Sequence, residues 1–133
     1  MKKILLSIIV IICIIAYSCK KDEDDSDRSD LLTSTVWVSD SLLVNGIDAS
    51  GPSGFLEDFV GEATFNKDGT GMFGIFSGTW RLAFNETQLI LNSDSLDFPL
   101  TANIAELTST SLKITTGIPG PIPLNVRMTF KAK

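Results

Sequence analysis

The chain has 133 residues, a formal net charge of −5 and a hydrophobic fraction of 44%, and it contains no histidine. One domain is the expectation at this length. The missing imidazole excludes histidine acid–base chemistry, Ser-His-Asp and Cys-His nucleophile arrangements, and any metal site that needs a histidine ligand.

Met1-Lys2-Lys3 opens the chain with positive charge, and Ile4 to Tyr17 follows with Ser7 as its only strongly polar residue. A basic start, a short apolar run and small residues before a cleavage point predict a secretory signal peptide over residues 1–18. A permanent membrane helix needs about 20 apolar residues, more than this run supplies. Of the two cysteines, Cys13 falls inside the leader and Cys19 becomes the first residue of the mature chain, so an internal disulfide is not expected. Ala16-Tyr17-Ser18-Cys19 resembles a bacterial lipobox, although the commonest pattern has Leu where Ala16 stands. That resemblance implies diacylglyceryl attachment to Cys19 and a membrane partner engaged through the N-terminal lipid.

Residues 20–30 hold six acidic and three basic side chains and no apolar one. Such a segment cannot bury surface, which predicts a disordered tether over 19–30. Its eleven residues reach roughly 18 Å as a flexible coil and about 36 Å fully extended. Lys20-Lys21-Asp22-Glu23-Asp24-Asp25 resembles the acidic export tag of surface lipoproteins in some Gram-negative bacteria. The resemblance implies lipid anchoring in the outer membrane at the cell surface, with the periplasmic face as the alternative.

From residue 31 the pattern changes to a period of two. Leu96, Phe98, Leu100, Ala102 and Ile104 alternate with polar or small partners, as do Leu124, Val126, Met128 and Phe130, and Trp80, Leu82 and Phe84. One apolar and one polar face per segment is what half-buried antiparallel strands require. Turn residues at Asn66-Lys67-Asp68-Gly69, Ser77-Gly78, Asn85-Glu86-Thr87, Asn92-Ser93-Asp94 and Thr108-Ser109-Thr110 separate the runs. The predicted strands are 35–44, 60–66, 70–76, 78–84, 88–92, 96–105, 111–117 and 124–131, with Pro99 inside one of them. Eight strands with short links predict an all-β, up-and-down antiparallel meander over 31–133. Closure into a small barrel removes the exposed edges of an open sheet, and a two-sheet sandwich is the alternative.

Leu32-Thr33-Ser34-Thr35-Val36-Trp37, Phe65-Asn66-Lys67-Asp68-Gly69-Thr70, Gly78-Thr79-Trp80-Arg81-Leu82 and Leu107-Thr108 with Ser111-Leu112-Lys113-Ile114 occur in an order similar to that of small lipocalin-like bacterial lipoproteins. The resemblance spans residues 31–131 and implies a barrel-like β domain on a lipid tether, with no settled activity.

Carboxylates are the only candidate catalytic groups. Glu57, Asp58 and Glu62 cluster near one loop and Asp94 and Asp97 near another, but nothing sets a pair at the fixed separation that glycoside chemistry needs. Asp22 to Asp27 lacks the glycine turn and the bidentate glutamate of a calcium loop, and Asn66 to Gly69 reads as a turn. The body carries six basic and ten acidic groups, which argues against nucleic acid. No enzyme activity, metal or cofactor is expected.

Two loops stand out. Asn45 to Phe59 is long and glycine-rich, carries Phe55, Leu56 and Phe59, and has Ser53 placed to cap a short helix over 55–59. Residues 117–123 form a proline-stiffened loop that presents Ile118 and Ile122. Both read as plugs of the barrel end or as lid and rim of an apolar pocket. Phe65, Phe73, Trp80, Phe84, Phe98 and Phe130 fall on predicted inward faces, with Phe55 and Phe59 on the lid. These eight are the candidate ligand-binding residues, although so many rings also predict a filled lumen. The face of Trp37 stays open, because Val36 and Val38 compete for the inside. The expected function is a non-enzymatic binding or interaction module at the cell surface. Carriage of a small apolar ligand is the first alternative. A structural envelope component that binds a protein or glycan is the second.

Overall fold

The computed structural model describes residues 27–96 and 99–133. Helix α1 (Asp27–Thr33) precedes β1 (Trp37–Val44), β2 (Ile47–Asp48), β3 (Glu62–Phe65), β4 (Thr70–Phe73), β5 (Phe76–Ala83), β6 (Gln88–Asn92), β7 (Leu100–Leu107), β8 (Ser111–Ile118) and β9 (Leu124–Ala132). A 3-10 turn covers Glu57–Phe59.

All strand pairs are antiparallel. The order β1-β3-β4-β5-β6-β7-β8-β9 is sequential, and β9 returns to pair with β1 from Trp37↔Ala132 to Val44↔Val126. This pairing closes an eight-stranded, up-and-down barrel and excludes the two-sheet sandwich. Strand β2 is the one addition. It lies beside the second half of β1, where β3 has left after Val38↔Glu62. Asn45 (φ 51°) and Gly46 (φ 81°) make the β1–β2 turn, both at the positive φ that a tight hairpin needs. The ladders slip by one residue between Ser39 and Ser41 in β1 and between Ile104 and Glu106 in β7. Such bulges bend a strand and help a short sheet close on itself.

The alternation read from the sequence is the alternation of burial. In β9, Val126, Met128 and Phe130 are buried while Asn125, Arg127 and Lys131 are exposed. Ala102, Leu112, Ile114, Leu89 and Leu91 complete the inner surface on β6 to β8. Gly71 and Gly78 face each other across β4 and β5, next to Phe65 on β3. A Cβ on Gly78 would lie 1.8 Å from the Asn92 carbonyl oxygen, so the close approach of β5 and β6 requires glycine there. This explains one difference from the sequence reading. Ser77-Gly78 is not a turn but the interior of β5, and the chain reverses earlier, at Gly74 (φ 62°) and Ile75. Pro99 differs too. It precedes the first residue of β7 instead of interrupting a strand, so no ladder donor is lost.

Helix α1 crosses the end of the barrel at which β1 starts. Its Leu32 is fully buried, and the indole Nε1–H of fully buried Trp37 donates to the Leu32 carbonyl at 3.0 Å. The Arg28 guanidinium donates to the Glu86 carbonyl at 2.8 Å, fastening the helix to the β5–β6 turn. Trp37 thus faces inward and leaves Val36 and Val38 half-buried. Residues 27–30 are therefore helical and part of the folded body, where a disordered tether is expected. A seven-residue helix is marginal in isolation, so burial of Leu32 and the two hydrogen bonds hold it.

The opposite end is covered by the connection between β1 and β3. Ala49 and Leu56 are buried there, linked by the Leu56 N–H to the Ala49 carbonyl at 2.9 Å and the Ala49 N–H to the Leu42 carbonyl at 2.8 Å.

Candidate functional site

Within the lumen the aromatic residues pack on one another. The Phe65 ring lies 5.6 Å from Phe73, tilted by 41°, and 5.6 Å from Trp80, edge-on at 80°. These distances suit favourable aromatic pairs. The Trp80 Nε1–H donates to the Asn66 carbonyl at 2.9 Å, which turns the ring's polar edge toward the β3–β4 turn. Phe130 closes the inner wall from β9. Phe59 lies 5.0 Å from Phe76 and completes the packing under the loop end. The void left among Phe59, Phe65, Phe73, Phe130 and the aliphatic side chains of β6, β8 and β9 is about 10 Å³. A pocket for a small molecule needs about 300 Å³ or more. The rings and the aliphatic side chains of the inner wall together fill the interior.

The structure brings together five of the eight candidate residues, Phe59, Phe65, Phe73, Trp80 and Phe130. Phe55 is not part of this group; it sits on the outside of the covering segment, 58% exposed. Phe84 corrects the sequence reading. It is expected on an inward face but is 74% exposed, because β5 ends at Ala83 and the next three residues turn left-handed. Phe84, Asn85 and Glu86 have φ of 52°, 55° and 63°, which breaks the alternation and rotates the ring outward. Phe98 and Cys19 lie outside the described residues. The short helix expected at 55–59 is a 3-10 turn without a side-chain cap. Ser53 does not cap it. Instead the Ser53 backbone N–H donates to the Glu57 carboxylate at 2.9 Å.

The sequence reading names Phe55 and Ile122 but misses Ile47 and Ile75, which share the outside of the loop-bearing end with them. Ile47 on the β1–β2 hairpin, Phe55, Ile75 on the β4–β5 turn and Ile122 on the β8–β9 loop are all exposed, Ile122 by 74%. Hydrogen bonds join their loops into one arc. The Asn45 N–H donates to the Asn125 carbonyl and the Asn125 N–H to Asn45 Oδ1, each at 2.8 Å, so hairpin and proline loop are neighbours. The Leu56 N–H reaches Ala49 at 2.9 Å and the Ile75 N–H reaches the Asp58 carbonyl at 3.0 Å, which continues the arc to the β4–β5 turn. Ile122 was legible in its proline loop. Ile118 is half-buried in β8 and not presented. Ile47 had a signal too, since Asn45-Gly46 marks a hairpin and places the next residue at its tip.

The charged groups within these loops are acidic. Asp48 Oδ1 accepts from the Ser50 hydroxyl at 2.6 Å and from the Ser50 N–H at 2.9 Å, and these bonds hold its carboxyl below the usual carboxylate range. Glu57 and Asp58 are exposed, and Glu62, just below the arc, is paired with Lys133 at 2.6 Å. No lysine or arginine occurs in residues 45–61, 74–75 or 118–123, but exposed Arg127 on β9 pairs with Leu43 from the side opposite Asp48. At the helix end, Asp68 Oδ1 accepts from the Thr70 hydroxyl at 2.7 Å and the Thr70 N–H at 3.0 Å, which lowers its pKa and ties off the β3–β4 turn. Glu106 is lowered by the Ser111 hydroxyl at 2.8 Å and by the charge of Lys113 at 3.4 Å. Among the described residues no three His, Cys, Asp or Glu side chains gather to hold a metal, and no helix is long and apolar enough to cross a membrane.

No family model matches the chain, and no curated protein matches it.

Proposed function

We propose that the protein is a non-catalytic lipoprotein whose small β-barrel works by surface contact through its loop-bearing end. Cys19 carries the lipid and residues 20–26 join it to helix α1, so the chain enters the barrel at its helix end and the loop end is the one farther along from the anchor. The acidic stretch after Cys19 favours display on the outer face of the outer membrane. The observation that carries the contact reading is the arc of exposed Ile47, Phe55, Ile75 and Ile122 at the end remote from α1. Large apolar side chains exposed on loops that hydrogen bonds join at one end of a barrel are what a contact surface would use. The carrier reading has little to support it, since a void of about 10 Å³ accommodates at most one water.

Metabolic labelling with a fatty acid tests the anchor. Label should appear in the membrane fraction and disappear in Cys19→Ala, with the protein released. Unchanged label and unchanged fractionation in the variant would refute it. Protease treatment of intact cells tests the display, and resistance of the native protein would place it on the periplasmic face.

A further inference from the structure

We infer that Phe84 seats in the membrane that holds the Cys19 lipid, a second point of attachment that sets the helix end of the barrel against the bilayer. The inference rests on the anchor reading above and adds which part of the barrel meets the lipid. Phe84 opens the β5–β6 turn with its ring mostly exposed. Phe84, Asn85 and Glu86 are successive non-glycine residues with φ of 52°, 55° and 63°. Each carries a steric cost there that glycine would avoid, and a bulky side chain in this region is an outlier. Strain of this kind persists where neighbouring bonds hold it, and it clusters at functional sites. Here the Phe84 carbonyl accepts from the Thr87 N–H at 3.2 Å and the Thr87 hydroxyl at 2.7 Å, and the Glu86 carbonyl accepts from Arg28 at 2.8 Å. The result is an aromatic ring displayed outward on a turn fastened to α1.

The length of the N-terminal segment selects the occupant. Seven residues, 20–26, separate Cys19 from α1. Any seven residues span at most about 25 Å, while an eight-residue strand such as β8 is about 26 Å long. The helix end is therefore within reach of the lipid. The loop end, with Ile47, Phe55, Ile75 and Ile122, reaches it only if the segment is drawn out along the whole barrel wall. Both signs of charge occur at the helix end, Arg28, Lys67 and Lys133 with Asp30, Asp68 and Glu86, so charge does not select the lipid and the contact is apolar. Phenylalanine buries at the boundary of headgroups and acyl chains. Moving a mostly exposed ring out of water favours the seated barrel by about tenfold.

Photocrosslinking in the full chain tests this, with p-benzoylphenylalanine replacing Phe84 in one strain and Phe55 in another, in the cells that make the protein. An unchanged melting temperature checks the fold. If the Phe84 replacement lowers it, the same probe at Asn85, exposed on the same turn, takes its place. Mass spectrometry of the peptide around each probe should find a glycerolipid adduct on the turn that exceeds the adduct at position 55 by about tenfold. In isolated membranes the yield should be equal at about 50 and 500 mM salt, because an apolar contact is not screened. Equal lipid adducts at both positions, adducts to protein alone, no adduct from the turn, or a yield that falls with salt overturns the inference. Fatty-acid label on Cys19 in the same cells then leaves the anchor standing. Absence of that label overturns the anchor reading and the inference with it.

Discussion

Phe65→Ala removes roughly 100 Å³ of side chain from the middle of the lumen, where the ring is 4% exposed and touches both Phe73 and Trp80 at 5.6 Å. At about 24 cal/mol per Å³ the cavity costs about 2.4 kcal/mol. Lost burial of the ring adds about 2 kcal/mol, and the two aromatic pairs contribute at the low end of about 0.5–1.5 kcal/mol. Partial collapse of the neighbours offsets some of this, so the expected loss is about 4 kcal/mol. Urea unfolding followed by tryptophan fluorescence measures it. The variant should also gain what the native protein lacks, a dry apolar hole that binds benzene or xenon and raises its melting temperature. A loss below about 1 kcal/mol would mean that the lumen already holds slack space. The same conclusion follows if benzene stabilises the native protein as much as the variant. Either result would refute the filled-lumen reasoning and revive the carrier.

Trp37→Phe leaves the buried Leu32 carbonyl without its indole donor and should cost about 2–4 kcal/mol in the same assay; an effect under 0.5 kcal/mol, on the order of a surface change, would show that α1 does not close the barrel. Glu86→Gly relieves a left-handed residue at φ 63° and should stabilise by about 0.5–1 kcal/mol after the added chain entropy of glycine, measured as a shift in urea midpoint; a destabilised variant would mean that the turn is not strained there. Gly78→Ala drives a methyl into the Asn92 carbonyl at 1.8 Å, and the expected loss exceeds about 2 kcal/mol or prevents folding; a wild-type melting curve would contradict the close approach of β5 and β6. Asp48, Asp68 and Glu106 have folded pKa values below their unfolded ones. Their stabilisation is complete above the unfolded carboxylate range and is lost as pH falls through the folded values. Melting temperature should therefore drop as the solution is acidified below about pH 4. Asp68→Asn with Glu106→Gln should flatten that drop, and an unaltered pH profile would remove these bonds from the account.

The eight barrel strands were legible in the order they occur, because alternation with a period of two is a local signal that closure does not alter. In Leu124 to Phe130 each apolar residue points inward, as the pattern demands. The sequence signal failed where a tertiary contact or a sign of φ decides. Residues 27–30 look like the rest of a charged tether, and only the docking of Leu32 under Trp37 makes them helical. Phe84 continues the alternation of β5 on paper, yet the left-handed turn after Ala83 expels it. Gly78 looks like turn punctuation, yet its role is to admit a neighbouring backbone. The packing of the rings was half legible: their number predicts a filled lumen, but not which of them meet. The shared end was least legible, since Ile47, Phe55, Ile75 and Ile122 are far apart in the chain and their loops are joined only by tertiary hydrogen bonds.

Native mass spectrometry of the protein purified from its own cells tests the proposed lipid-anchored, solid-barrelled module most directly. The account predicts a chain that starts at Cys19, carries covalent acyl groups, and holds no small molecule in its interior. A mass that retains residues 1–18 without lipid, or a reproducible small-molecule adduct that Phe55 and Ile122 variants leave in place, would contradict it.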